Sequence, residues 1–87
     1  MVIEIRLFGV LKRFGENGML VLEIPCSCSV SELRSRIKQA LAVRFPAEFH
    51  TALVDRAALA DEHQVLSEDQ FITDSPNLAL LPPVCGG

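Results

Sequence analysis

The chain ends in the sequence Asn77-Leu78-Ala79-Leu80-Leu81-Pro82-Pro83-Val84-Cys85-Gly86-Gly87, in which an apolar stretch runs into a double proline. The continuous apolar run from Leu78 to Leu81 is typical of a strand inside a sheet, covered on one or both faces. Pro82 and Pro83 have no backbone N–H, so the sheet cannot continue through them and the chain is predicted to leave it. We therefore expect a folded domain over residues 1–82 and an extended tail over residues 83–87.

The tail narrows to bare backbone at its tip, because Gly86 and Gly87 have no β-carbon. At about 3.3–3.6 Å per residue, the steps from Pro83 to Gly87 extend about 13–14 Å from the body of the protein. A tip this thin, ending in a carboxylate, fits a narrow slot on another protein. A frayed terminus without a role is the alternative, and the double proline favours the functional arm.

Two alternating segments at the start of the chain predict a pair of strands. Val2 to Phe8 places isoleucine and leucine on one face and charged residues on the other, and Met19 to Pro25 alternates in the same way. Gly9 ends the first strand, and the spacing of apolar residues from Val10 to Phe14 predicts one short helical turn. A connection this short favours an antiparallel hairpin.

The strongest helix signal follows the hairpin. Ser29 and Glu32 have the spacing of a capping box, in which each side chain bonds the other's backbone N–H. The apolar residues that follow recur on one helix face; they are Val30, Leu33, Ile37, Ala40 and Leu41. The helix is predicted to end near Phe45, before Pro46. The basic residues Arg34, Arg36 and Lys38 are predicted to form a solvated face.

The middle of the chain carries weaker signals. Phe45, Phe49 and Leu53 recur every four residues, which favours a further helical turn. Ala57–Ala60 and Gln64–Leu66 flank a polar tripeptide and predict a short hairpin. Ser67 to Asp69 is predicted to be a loop. Phe71-Ile72 is interpreted as apolar filling, that is, side chains that fill the core without forming a strand, before the last strand.

The predicted element order is strand, strand, helix, short strands, strand. The helix must cross from the hairpin to the other half of the sheet, and its apolar face must cover that sheet. This is an α+β arrangement, a mixed sheet of four to five strands packed on one main helix. We expect the last strand to lie in the middle of the sheet.

Size and charge exclude several classes of protein. The chain has 87 residues, enough for one domain, and 49% of them are hydrophobic. A net charge of −3 argues against a nucleic-acid partner, which needs a basic face. No apolar run reaches the ~20 residues of a membrane span, and the first residues do not resemble a secretion signal. We therefore expect a cytoplasmic protein with no membrane partner.

Three cysteines, Cys26, Cys28 and Cys85, are too few and too unevenly spaced for a disulfide framework. The Cys-x-Cys pair has only His50 and His63 as further ligands, both distant in sequence, so no metal site is predicted. Cys26 and Cys28 are interpreted as buried or capping thiols, with Cys28 packing on the start of the helix.

The segment Leu80-Leu81-Pro82-Pro83-Val84-Cys85-Gly86-Gly87 is similar to the C-terminal signature of the small subunit of molybdopterin synthase, a ubiquitin-like sulfur carrier. The resemblance implies a β-grasp fold, in which the last strand lies in the middle of the sheet and parallel to the first. It also implies that Gly87, preceded by Gly86, is adenylated by an ATP-using activating enzyme and then converted to a thiocarboxylate. The partner-binding residues that it implies are Leu80, Leu81, Pro82, Pro83, Val84 and Cys85.

The partners implied by the resemblance are a larger synthase subunit, an adenylyltransferase of the ubiquitin-activating type and a sulfur donor protein. The chain would bind no cofactor itself, since the activating enzyme uses the ATP, and it would not be catalytic alone. In agreement, the sequence contains no nucleophile–base cluster and no phosphate-binding loop. Cys85 stands where the signature has another small residue, and it is interpreted as tolerated there, with a sulfur-bearing thiol as the alternative.

Three other functions remain open on the sequence. The first is a sulfur carrier for the thiazole of thiamine, although such chains are shorter and lack the Pro-Pro-Val approach. The second is a ubiquitin-like protein modifier that forms an isopeptide bond through Gly87. The third is an interaction module whose terminus is inert.

Overall fold

A four-stranded mixed sheet with a long helix forms the body of the protein, in a computed structural model that describes residues 2–24, 27–73 and 77–82. The strands are β1 (Val2–Leu7), β2 (Met19–Glu23), β3 (Cys28–Ser29), β4 (Ala58–Ala60), β5 (Phe71–Ile72) and β6 (Asn77–Leu81). The helices are α1 (Val30–Arg44), the short α2 (Ala52–Asp55) and a 3-10 helix over Gly9–Phe14.

The last strand lies inside the sheet, as its apolar sequence predicts. The strand order is β2-β1-β6-β4. β6 is parallel to β1, with Leu80 opposite Leu7, and antiparallel to β4, with Leu81 opposite Ala58. The prediction of an α+β sheet with the first and last strands parallel at its centre is therefore confirmed.

The predicted hairpin is also confirmed. β1 and β2 pair antiparallel, with Ile3 opposite Leu22 and Arg6 opposite Met19. The connection contains the 3-10 helix, which buries Leu11 and Phe14. The Phe14 ring meets the rings of Phe45 and Phe49 edge-on, at centroid distances of 5.1 and 5.6 Å. This aromatic group holds the hairpin connection against the segment that follows α1.

α1 begins and ends where the sequence predicts. Ser29 Oγ accepts a hydrogen bond of 3.1 Å from the backbone N–H of Glu32, one half of the capping box. The Glu32 carboxylate lies 3.7 Å from the Arg36 guanidinium, one turn further on. Four apolar side chains of α1 are fully buried against the sheet, namely Val30, Leu33, Ile37 and Leu41.

The prediction that the three basic residues of α1 form a solvated face is wrong for Arg34. Arg34 has a side chain only 12% exposed. Its guanidinium donates to the backbone carbonyls of Val54 and Ala57, both at 2.6 Å, and to both carboxylate oxygens of Glu68. Arg34 therefore ties α1 to α2 and to the 67–70 loop, because a guanidinium has donors for several partners at once.

The interpretation of Phe71-Ile72 as apolar filling is also wrong. These residues form β5, which pairs antiparallel with β3 and makes a second, two-stranded sheet. Ile72 is buried, whereas Phe71 is 68% exposed. The pairing depends on a partner strand of only two residues next to the α1 cap, so sequence periodicity does not reveal it.

The short hairpin after α2 is confirmed. β4 is followed by a turn in which the Asp61 carboxylate accepts from the backbone N–H groups of His63 and Gln64, each at 2.8 Å. These bonds lower the pKa of Asp61. The chain then returns beside β4, with the N–H of Leu66 donating to Leu59 O at 2.8 Å.

Cys28 is buried, as predicted. Cys26 and residues 74–76 lie outside the described residues. Over the ranges that the structure describes, every helix is too short or too polar to cross a bilayer.

Candidate functional site

At the end of β6, the two leucines that precede the double proline point to opposite faces of the sheet. Leu80 is fully buried, since it points to the same side as the apolar residues that contact α1. Leu81 is half-buried and points to the opposite face. Of the two predicted partner-binding leucines, Leu80 therefore belongs to the core and Leu81 is the one available to a partner.

The root of the tail is fixed by a close contact between Pro82 and Gly9. Gly9 has a φ of +59°, a conformation that favours glycine, and a β-carbon placed on it would lie 2.7 Å from Pro82 Cγ. Gly9 therefore ends β1 and also makes room for the proline ring beside the parallel strand. The position of Pro82, half-buried at this edge, depends on a glycine 73 positions earlier in the chain.

The face of the sheet away from α1 carries apolar residues near this root. Leu81 is opposite Ala58, and both are half-buried. Phe8, which directly follows β1, is 41% exposed. Ala79, half-buried, lies in register between Arg6 and Ala60. Exposed apolar residues beside the root of the tail are typical of a surface that binds another protein.

A groove also opens beside Pro82, which we call the tail-root groove. It has a volume of about 390 Å³ and is lined by Gly9, Val10, His50, Ala52, Leu53, Arg56 and Pro82. Most of these residues are apolar, and Val10 is 60% exposed. His50 and Arg56 are the ionisable residues of the lining, and no carboxylate is among the described residues that form it. The groove thus combines an apolar wall with positive charge.

The remaining predicted site residues, Pro83, Val84, Cys85, Gly86 and Gly87, lie outside the described residues. Their roles stay predictions. Among the residues that are described, no three His, Cys, Asp or Glu side chains come together as metal ligands.

Sequence reasoning did not find the two features that shape this site. The Gly9–Pro82 contact requires the parallel pairing of β1 with β6, which brings residues from both ends of the chain together. The groove requires α2 to pack beside the 3-10 helix. A glycine directly after a strand was the one available signal, and alone it marks only a turn.

No protein-family model matches the sequence, and a search of curated proteins finds no match. Solved structures do match. The crystal structure of SAMP1 from Haloferax volcanii is 19% identical with a TM-score of 0.68, and each chain is covered in full. A chain in the complex of subunits 1 and 2 of the molybdopterin-converting factor from Helicobacter pylori 26695 is 22% identical, with a TM-score of 0.59 and full coverage of both chains. Together with the strand order, these likenesses establish that the protein has the ubiquitin-like β-grasp fold.

Proposed function

We propose that the protein is a sulfur carrier that acts as the small subunit of molybdopterin synthase in molybdenum cofactor biosynthesis. In this role the Gly87 carboxylate is the reactive group. The domain over residues 1–82 holds the tail and presents a docking surface, and the partners supply the catalysis. The proposed location of the protein is the cytoplasm, where its partners use ATP.

The proposed chemistry begins with activation, because a carboxylate is a poor electrophile. An oxygen of the Gly87 carboxylate attacks the α-phosphorus of ATP in the activating enzyme, and pyrophosphate leaves. Hydrosulfide, delivered by a sulfur donor protein, then attacks the acyl carbon. A C–S bond forms, the C–O bond to AMP breaks, and Gly87 carries a thiocarboxylate whose sulfur is nucleophilic.

The observation that supports the proposal most is that the Pro-Pro-Val-Cys-Gly-Gly sequence directly follows β6. The strand that leads into this sequence lies in the middle of the sheet and is fixed at its end by the contact of Pro82 with Gly9. A root held at the end of the sheet loses little freedom on binding, and two glycines without β-carbons suit insertion into a narrow slot of a partner. The fold likeness to a chain in a two-subunit molybdopterin-converting complex supports the same role.

The test is an intact-mass measurement of the protein after incubation with a molybdopterin synthase activating enzyme, ATP and sulfide. We expect a mass increase equal to the exchange of one oxygen for sulfur, located at Gly87 by fragmentation. Deleting Gly87, or adding one residue after it, should abolish the increase while the circular dichroism spectrum and melting temperature stay unchanged. Sulfuration of an unprocessed, extended protein would refute the carrier function.

The same experiment separates the alternative functions. Addition of the large synthase subunit and a pterin precursor should release the sulfur and form a dithiolene product. If the thiocarboxylate forms but only thiazole synthase consumes it, the protein serves thiamine synthesis. If Gly87 instead becomes linked to lysines of other proteins in an ATP-dependent reaction, it is a protein modifier.

A further inference from the structure

The tail-root groove has the size and the lining of a binding site. Its volume of about 390 Å³ lies within the range of about 300–1,000 Å³ that is typical of ligand sites. Val10, Ala52 and Leu53 give it an apolar wall. Leu53 is half-buried and packs against the core, so this wall is anchored to the folded body. Such a groove can hold a short apolar segment of chain.

The groove also carries a cation that is not neutralised nearby. Arg56 is exposed, and no carboxylate among the described residues lies within ion-pair distance of its guanidinium. The two acidic residues that precede it most closely bind other cations. Asp55 pairs with Lys38 at 2.8 Å, and Glu48 pairs with Arg13 at 2.7 Å. The groove therefore favours a ligand that combines an apolar body with one carboxylate.

The sequence of the tail meets this description. Residues 83–87 contain no charged side chain. Val84 is apolar, and a free thiol such as that of Cys85 behaves as a small hydrophobic group. The Gly87 carboxylate of the proposed function supplies the single negative charge. The tail is thus complementary both to the apolar wall and to Arg56.

The tail also begins at the groove. Pro82, the last described residue, is itself part of the lining. The five residues beyond it extend at most about 16–18 Å, so the tail is long enough to follow a groove that it already borders. A tethered ligand has an effective concentration of about millimolar, whereas a segment of another protein needs its own affinity. This difference favours the tail as the occupant.

We propose that the tail-root groove binds the chain's own tail until a partner takes the tail up. Val84 packs on Val10 and Leu53, and the Gly87 carboxylate accepts hydrogen bonds from the Arg56 guanidinium. The inference rests on the proposed function, because it needs the carboxylate at Gly87. It adds a second position for the tail, in which the reactive end is held against its own domain.

The bound tail is withheld from proteins that do not dock on the domain. Leu81 and Phe8 belong to the proposed docking surface, and neither of them lines the groove. A partner can therefore bind this surface first and then take the tail from the groove. The contact with Arg56 is exposed, so it contributes little free energy and a docked partner displaces it readily.

The direct test is the detection of nuclear Overhauser effects (NOEs) between methyl groups in the full-length protein, labelled with ¹³C at valine and leucine. We expect an NOE between Val84 and Leu53. Val10→Asp places a carboxylate in the groove and should abolish this NOE, because the added charge repels that of Gly87. Val10 is 60% exposed, and the HSQC spectrum of the variant verifies its fold. Val65→Asp, at a valine that is 62% exposed outside the groove, is the matched control and should keep the NOE.

The thiol of Cys85 provides a second readout, because a thiol held in the groove is shielded from reagents. The measurement is the rate of alkylation by iodoacetamide, located at Cys85 by fragment masses. Val10→Asp and Arg56→Glu should each raise the rate at least about threefold, whereas Val65→Asp should leave it unchanged. An added carboxylate disfavours the reactive thiolate, so its direct electrostatic effect would slow the reaction. A faster reaction therefore reports release of the tail.

The carboxylate is tested separately from the groove. Native chemical ligation at Cys85 gives a full-length protein in which Gly87 ends in an uncharged amide. This protein should show a weaker NOE between Val84 and Leu53 and faster alkylation of Cys85, because the charge-assisted bonds to Arg56 are lost. Arg56→Lys keeps the positive charge and should stay closer to the wild type than Arg56→Glu.

Two results would overturn the proposal. The first is the absence of an NOE between Val84 and Leu53 in the wild type, with equal alkylation rates in the wild type and Val10→Asp. The second is an NOE that arises between differently labelled molecules, which would place the tail of a second copy in the groove. Neither measurement uses the activating enzyme, so such a failure leaves the carrier function standing. Conversely, an intact NOE without sulfuration of Gly87 would refute the carrier function and support the tail contact.

Discussion

Gly9 and Pro82 touch across the parallel pair β1–β6, with no room for a β-carbon on the glycine. A Cβ at Gly9 would meet Pro82 Cγ at 2.7 Å, and residues with a side chain rarely adopt a φ of +59°. The contact links the end of the first strand to the root of the tail. A side chain at position 9 would therefore displace Pro82, the residue at which the described part of the chain ends.

Gly9→Ala should destabilise the fold by about 1–2 kcal/mol through its positive φ, and by more because of the clash with the proline ring. Gly18→Ala is the matched control. Gly18 also has a positive φ, of +75°. A β-carbon placed on it would have Lys12 Cγ, in a flexible side chain, as its nearest neighbour at 3.2 Å. Urea unfolding should show the larger loss for Gly9→Ala, and Pro82→Ala in the same protein should restore part of it. Equal losses for the two glycines would contradict a specific contact with Pro82.

Leu80 and Leu81 should respond oppositely to substitution. Leu80→Ala removes a fully buried side chain and should cost about 2–5 kcal/mol in the free energy of unfolding. Leu81→Asp, on the half-buried outer face, should leave the melting curve close to that of the wild type but weaken binding to the large synthase subunit. Calorimetric titration measures the binding. Unchanged affinity for Leu81→Asp would remove this face from the docking surface.

Cys85→Ser should keep full sulfur transfer. A reactive thiol needs a lowered pKa, which positive charge or a helix N-terminus provides, and the sequence neighbours Val84 and Gly86 provide neither. Fragment masses of the activated protein should place the added sulfur on Gly87 in both the wild type and the variant. An inactive variant, with sulfur located on Cys85 in the wild type, would reverse the assignment.

Arg34→Met should cost about 2–3 kcal/mol, because the carbonyls of Val54 and Ala57 lose a donor in a partly buried position. Arg34→Lys should recover only part of the loss, since an ammonium cannot reproduce the planar fork of the guanidinium. Arg36→Met is the control, at a position two residues further along α1 where the side chain is 39% exposed. It should change the free energy of unfolding by less than about 0.5 kcal/mol. Chemical denaturation measures all three.

Glu68 should make the stability depend on pH in the acid range. The hydrogen bond from Arg34 lowers the pKa of Glu68 below its ordinary value of 4.5. The stabilisation is therefore present above pH 4.5 and is lost as the pH falls through the lowered pKa. It is modest, since the Glu68 side chain is 55% exposed. The difference in unfolding free energy between wild type and Glu68→Gln should shrink towards zero on acidification; a difference independent of pH would contradict this pairing.

The parts of the fold that depend on local pattern were predictable from the sequence. Alternation from Val2 to Phe8 marks β1, the Ser29–Glu32 spacing marks the start of α1, and the apolar run before Pro82 marks a central strand. Each of these signals arises from residues close together in the chain. The structure confirms all three.

The features that sequence reasoning missed depend on residues far apart. Arg34 has the helix position of a solvated residue, but its length and donor geometry let it reach carbonyls 20 and 23 residues away. β5 exists because Phe71 and Ile72 meet Ser29 and Cys28. The tail-root groove forms only when α2 packs beside the 3-10 helix and the end of β6, so composition and periodicity cannot predict it.

The parallel pairing of β1 with β6 also has a consequence for folding. Glu4 to Leu7 pair with Asn77 to Leu80, so the centre of the sheet closes a loop that includes most of the chain. Contacts this distant in sequence slow folding, because the entropy of closing the loop is lost before the contacts form. During synthesis the hairpin and α1 emerge first, and the sheet cannot be completed until β6 has also emerged from the ribosome. A partner that recognises the assembled sheet would thereby bind molecules in which β6 is in place and not those in which it is still missing.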